Sequence, residues 1–182
     1  MQKLLEAAIE CAKVTGGVAM RHFVEHRRSR SLVVQTKGDG SPVSDADRAA
    51  EEAARAFITA RFPDDGILGE ELGEHLPGAR RRRCLDPIDG TKTFLRGAPL
   101  WGSLVAIVEG ERVLAGAAFY PVTNELVAAA PGEGCAADGI LTGVSDVAEL
   151  AEATVLTTDE RFPDVAAAAS ALVAALGHPK MG

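Results

Sequence analysis

Two aspartates three positions apart, with a proline between them and a glycine and a threonine after them, constrain this chain more than any other feature. The stretch is Asp86-Pro87-Ile88-Asp89-Gly90-Thr91. Cys84-Leu85 leads into it, and the residues from Thr91 to Leu95 read as the first turn of a helix. Carboxylates held this close raise each other's proton affinity unless a cation compensates. Hard oxygen ligands at this density suit Mg²⁺, which takes carboxylates, water and a substrate phosphate together. Gly90 lets the backbone come close to a ligand, and the N–H groups of the following turn form a seat for an anion. Metal ligands and a phosphate cradle thus fall within six residues.

A further carboxylate pair, Glu70-Glu71, follows Gly69 and the short apolar run 67–69. Glu70 is the expected ligand of the two, and Glu71 is read as a surface or supporting residue. Asp47 stands three residues after Ser44, the spacing of a capping box at a helix start. It serves either as a cap alone or as part of the same site.

The rest of the chain sets the frame. Residues 2–26 show apolar spacing of a helix through Leu4, Leu5, Ala8, Ile9 and Ala12, weakened in the middle by Gly16-Gly17. A strand is expected over 31–36, a turn over 37–42, a second helix over 44–61 and a polar loop over 73–83. Residues 100–109 read as a buried strand, followed by hairpin-linked strands over 113–120 and 125–130. A strand over 154–158 and a helix over 163–176 complete the pattern. Helices first, then consecutive hairpins, then a helix point to an α+β fold in one domain over residues 1–182.

Composition excludes several function classes. The net charge is −7 and the pI about 5.1, which argues against a nucleic-acid binder. The three cysteines form no Cys-x-x-Cys pair, so a reducing cytoplasm is expected and a disulfide framework is not. Neither a signal peptide nor a membrane span is predicted.

With these residues in view, the sequence resembles the inositol-monophosphatase-like phosphatases. The resemblance is carried by Lys37-Gly-Asp-Gly-Ser-Pro-Val-Ser-Asp-Ala-Asp47, by Leu68-Gly-Glu-Glu71 and by Leu85-Asp-Pro-Ile-Asp-Gly-Thr-Lys-Thr-Phe-Leu-Arg-Gly97. The wording from Asp89 to Gly97, with Pro99 and Trp101, is most similar to the histidinol-phosphate phosphatase branch. The resemblance implies a layered α/β sandwich and hydrolysis of a small phosphate monoester. Histidinol phosphate is the expected substrate, with inositol 1-phosphate or another sugar phosphate as alternatives. It implies that Glu70, Asp86 and the Ile88 carbonyl bind one Mg²⁺ and that Asp86 and Asp89 share a second. It further implies that Asp47 and Thr91, with Glu70, activate water. Asp89, Gly90 and Thr91 would hold the substrate, the Gly90 and Thr91 amides taking its phosphate. A homodimer is the implied assembly. The family also carries a Trp-Asp-x-Ala-Ala stretch with another metal-binding Asp, absent here. The chain is therefore read as the N-terminal portion of the family fold, with the inactive fragment as a further alternative.

Two other features compete for attention. His22-Phe-Val-Glu-His26 matches H-x-x-E-H, an inverted zinc-protease signature, but Arg27, Arg28 and Arg30 crowd it with positive charge; these histidines are expected on a partly exposed helix face. The run Arg80 to Arg83 is read as part of a solvated loop, and Lys37 as either a site residue or a solvated turn lysine.

Overall fold

The computed structural model describes residues 1–149 and 152–154, apart from 39 and 41. The chain divides into two compact units, Met1–Thr142 and Gly143–Gly182, and the architecture below is that of the first. Residues 155–158 of the strand expected over 154–158, and the whole helix expected over 163–176, lie outside the described residues.

Helix α1 (Gln2–Ser29) and helix α2 (Asp45–Arg61) pack together on one face of a sheet. The strands are β3 (Gly66–Gly69), β4 (Gly73–His75), β5 (Arg81–Asp89), β6 (Gly102–Glu109), β7 (Arg112–Tyr120), β8 (Glu125–Ala130), β9 (Gly134–Ala137) and β10 (Ile140–Thr142). Their order is β10-β9-β8-β7-β6-β5-β3-β4. All neighbours are antiparallel except β3 and β5. A separate ribbon pairs β1 (Val34–Thr36) with β2 (Pro42–Ser44), and the short helix α3 (Thr91–Leu95) follows β5. This is the α+β layering that the element order predicts.

Alternation along the strands sets the core. Leu85, Val105, Ile107, Ala115, Ala117 and Ala128 turn toward Ala7, Ala8, Cys11 and Ala12 of α1 and Ala54 and Ile58 of α2. Alanine at the contact lets a helix lie close to the sheet, so a core poor in aromatics still closes. Gly16 does not break α1. The helix crosses Phe119 and Pro121 there, and a β-carbon would come within 2.7 Å of the Phe119 ring, so close approach offsets glycine's low helix propensity. A second cluster gathers Phe23, Phe94 and Trp101, with ring centroids 4.9 to 5.3 Å apart. Such pairs contribute about 0.5–1.5 kcal/mol each beyond area burial, and here they fasten α3 to α1.

Three expectations need correction, and one hairpin was not expected. The polar loop over 73–83 holds β4 and the start of β5. The arginine run is solvated only at its start: Arg80 precedes β5 with its side chain 86% exposed, but Arg83 is 0% exposed, bonded to Asp65 by its Nε at 3.0 Å, because the parallel β3–β5 register carries it inward. The strand over 100–109 begins at Gly102, with Leu100 exposed, and is fully buried on one side only. The β9–β10 hairpin went unpredicted although Asp138-Gly139, both at positive φ (50° and 80°), is a strong two-residue hairpin signal.

Candidate active site

The site grows from the point where β5 leaves its partners. On one side β3 pairs with β5 as far as Gly69 opposite Leu85. On the other, the β5–β6 register shifts between Asp86 and Asp89. Pro87 has no N–H to give a ladder and so belongs at such an irregularity; its carbonyl accepts the Ser103 hydroxyl at 2.6 Å. Gly90 then takes φ 91°. A β-carbon there would lie 2.9 Å from the Leu100 carbonyl oxygen, so only glycine turns the chain into α3.

The β3–β5 pairing continues one step past β3, where the Glu70 N–H donates to the Leu85 carbonyl at 3.2 Å. That step places Glu70 beside Asp86. Burial raises the proton affinity of Asp86 most, and the charge and hydrogen bond of Glu70, then the charges of Asp89 and Asp47, raise it further, to a pKa of about 8. Asp86 Oδ1 is buried with no hydrogen-bond partner. An unpaired buried carboxylate oxygen facing other carboxylates is costly and is what a hard divalent cation would satisfy. Among the described residues no three His, Cys, Asp or Glu side chains form a ready-made metal cage. Glu70 is within hydrogen-bonding reach of Asp86; Asp89 and Asp47 act on it as charges.

Asp47 has two employments. Its Oδ2 accepts the Ser44 N–H at 2.8 Å and the Ser44 hydroxyl at 2.6 Å, closing the capping box of α2. Its Oδ1 lies 3.4 Å from the Thr91 hydroxyl. Burial raises the proton affinity of Asp47, against the lowering effect of the Ser44 hydrogen bonds. The Thr91 hydroxyl also has the Ile88 carbonyl at 3.1 Å, so one proton has two acceptors to choose between.

Lys37 and Glu71, each read above with two alternatives, pair with one another beside Glu70. Lys37 Nζ lies 2.8 Å from Glu70 Oε1 and 2.7 Å from Glu71 Oε1. Burial by itself would lower its proton affinity, but the bonds and charges of the two glutamates hold it above that of an ordinary lysine. Glu71 is the more buried glutamate, its side chain 5% exposed against 44% for Glu70. Burial raises its proton affinity, opposed by Lys37.

The structure thus draws Glu70, Asp86, Ile88, Asp89, Gly90, Thr91 and Asp47 to one end of β5. Sequence reasoning missed Glu51, whose fully buried carboxylate lies under the Glu70-Glu71 turn. A signal existed: Glu51 falls one helical turn after Asp47 within the stripe Ala46, Ala50, Ala54 and Ile58. The zinc signature fares differently. His26 is buried, not partly exposed, and its Nε2 lies 3.0 Å from the Leu95 carbonyl. That nitrogen anchors α3 and is not aimed at an ion.

Comparison with known proteins adds to this geometry. The sequence model of the inositol monophosphatase family matches residues 1–177. A histidinol-phosphatase of Chlorobaculum parvum is 42% identical over 159 residues, covering 87% of this chain and 60% of its own length. A histidinol-phosphatase of Mycobacterium tuberculosis is 42% identical over 129 residues, 68% of this chain and 50% of its own. Among solved structures, the extragenic suppressor protein suhB of Bartonella henselae superposes with a TM-score of 0.76 at 29% identity, over 81% of this chain and 57% of that one. The chain spans about half to 60% of the length of these curated relatives.

Proposed function

The chain belongs to the inositol monophosphatase family, and from that premise we propose that it is built for Mg²⁺-dependent hydrolysis of a small phosphate monoester, histidinol phosphate first among them. The observation that carries the reading is Asp86, half-buried with one buried oxygen unpaired, pressed against Glu70 and followed within five residues by the Gly90–Thr91 turn. The family is generally metal-dependent, and carboxylates with a backbone carbonyl are the donor set that Mg²⁺ selects. The two histidinol-phosphatase relatives support the substrate.

In this reading Glu70, Asp86 and the Ile88 carbonyl would hold one cation, and Asp86 and Asp89 would hold a second. When bound, Mg²⁺ supplies Lewis-acid stabilisation of phosphate charge and makes water acidic enough to ionise near neutral pH. Thr91 accepts a hydrogen bond from the attacking water while its own proton turns to Asp47. Asp47, more basic than a free aspartate because it is buried, takes the proton passed along that chain. The Gly90 and Thr91 amides hold the phosphate oxygens. Water adds to phosphorus as the ester oxygen leaves; that oxygen takes a proton from a solvent water to become the alcohol, and Asp47 returns its proton to solvent. No side chain becomes phosphorylated.

We also place the protein in the cytoplasm. Cys11, Cys84 and Cys135 are free, and no described helix is long and apolar enough to cross a membrane.

The test is phosphate release by the purified chain from histidinol phosphate, inositol 1-phosphate and other sugar phosphates, with and without Mg²⁺. The expected result is Mg²⁺-dependent release, fastest from histidinol phosphate and lost in Asp86→Asn. Release that persists in Asp86→Asn would overturn the ligand assignments. Faster release from inositol 1-phosphate would overturn the substrate. Metal uptake with no release from any ester would favour a chain that binds without turnover.

A further inference from the structure

We infer that Glu51 is a positioning residue: its buried carboxylate ties helix α2 to the turn after β3 and so fixes Glu70 beside Asp86. The inference rests on the phosphatase reading only in taking Glu70 as a metal ligand.

Glu51 is 0% exposed, and a buried carboxylate must be satisfied from within. Its Oε2 accepts the Glu71 N–H at 2.7 Å, and its Oε1 accepts the Leu72 N–H at 3.2 Å. Arg55, one turn later on α2, donates its Nε to the same Oε1 at 2.7 Å and reaches the Gly73 carbonyl with Nη2. A two-residue span of β3–β4 backbone is thus gripped by one carboxylate, and the guanidinium beside it holds the next residue, Gly73. The other wall of the contact is Gly69, where any β-carbon would collide with the Glu51 carboxylate and crowd Arg55. Glycine at position 69 has negative φ, so its reason is space and not backbone conformation.

Asp47 and Glu51 stand four residues apart, on one face of α2. The first faces Thr91 and the second holds the turn bearing Glu70 and Glu71. Helix α2 therefore sets the distance between the water-orienting pair and the first carboxylate. A partner that orients a ligand is worth about ten- to a hundredfold in metal affinity.

The experiment uses the whole chain, with Mn²⁺ binding followed by electron paramagnetic resonance and the Glu71 and Leu72 amides followed by hydrogen exchange. Glu51→Gln and Gly69→Ala are each expected to weaken Mn²⁺ binding about tenfold and to speed exchange at both amides. The double variant should be no worse than either single one, since both break the same contact. Ile58→Val, in the core of the same helix, controls for stability: it should lower Tm without moving Mn²⁺ affinity. Parent-like affinity and exchange in Glu51→Gln overturn the inference, as does an equal affinity loss in Ile58→Val. If the parent takes up no Mn²⁺, the metal reading fails. The tether then stands if both amides exchange faster in Glu51→Gln and falls if they do not.

Discussion

The two ends of β5 meet the same problem with opposite answers. Near its start, Arg83 is buried, with its guanidinium 3.7 Å from the Phe62 ring centroid and its Nη2 2.9 Å from Asp65. Burial lowers its proton affinity, and the Asp65 hydrogen bond and charge offset only part of that. Three residues on, Asp86 is desolvated too, but its neighbours are Glu70, Asp89 and Asp47, all acidic. One end carries its own counter-charge. The other is left short of a cation, with Lys37 reaching only Glu70 and Glu71. Charge that serves the fold is compensated from within the chain; charge left uncompensated weakens the fold and, in the function proposed above, marks where a cation would bind.

The largest expected effect lies at the compensated end. Asp65→Ala strands Arg83 in the interior and should cost about 3–5 kcal/mol in urea unfolding, much of it regained when Arg83 is also replaced by Met. A loss under about 1 kcal/mol would erase the contrast. At the acidic end, Thr91→Ala should leave stability nearly intact and reduce kcat about a hundredfold, with KM little changed, if Thr91 serves the attacking water; steady-state kinetics on histidinol phosphate measure it.

The next effect is a pH dependence. The folded-state affinity of Asp86 for a proton, pKa about 8, exceeds that of an unfolded aspartate, about 3.9. The folded chain therefore holds the extra proton between these values, and stability falls as pH rises through that window. Urea melts across pH 4 to 8, roughly that window, should show the fall without Mg²⁺. They should show less of it with Mg²⁺ and little in Asp86→Asn. A fall that Asp86→Asn leaves in place would assign it elsewhere. The smallest effect is Ser44→Ala, which removes one bond to Asp47 and should cost about 1 kcal/mol by thermal unfolding, with Mn²⁺ affinity unmoved.

The acidic end was far more legible in the sequence than the compensated one. Asp86, Asp89, Gly90 and Thr91 lie in one short turn, and Ser44 and Asp47 in one capping box, so local spacing sufficed to pick them out. Arg83 and Asp65 are 18 residues apart, and an arginine run by itself reads as solvated surface. Lys37 and Glu71 likewise met across more than 30 positions. Asp138-Gly139 was legible and passed over, whereas the reason for Gly69 was not, because it depends on a carboxylate carried by another element.

What the sequence determined by itself is what nearest neighbours enforce: helical spacing in α1 and α2, the cap at Ser44, the glycine-opened turn after Asp89. The tertiary structure decided which charges share an environment. The parallel β3–β5 register sets Glu70 against Asp86, and α2 brings Asp47 to Thr91 and Glu51 under Glu71. Proton affinity and pairing depend on distance and desolvation, and both are fixed only when segments remote along the chain are packed together.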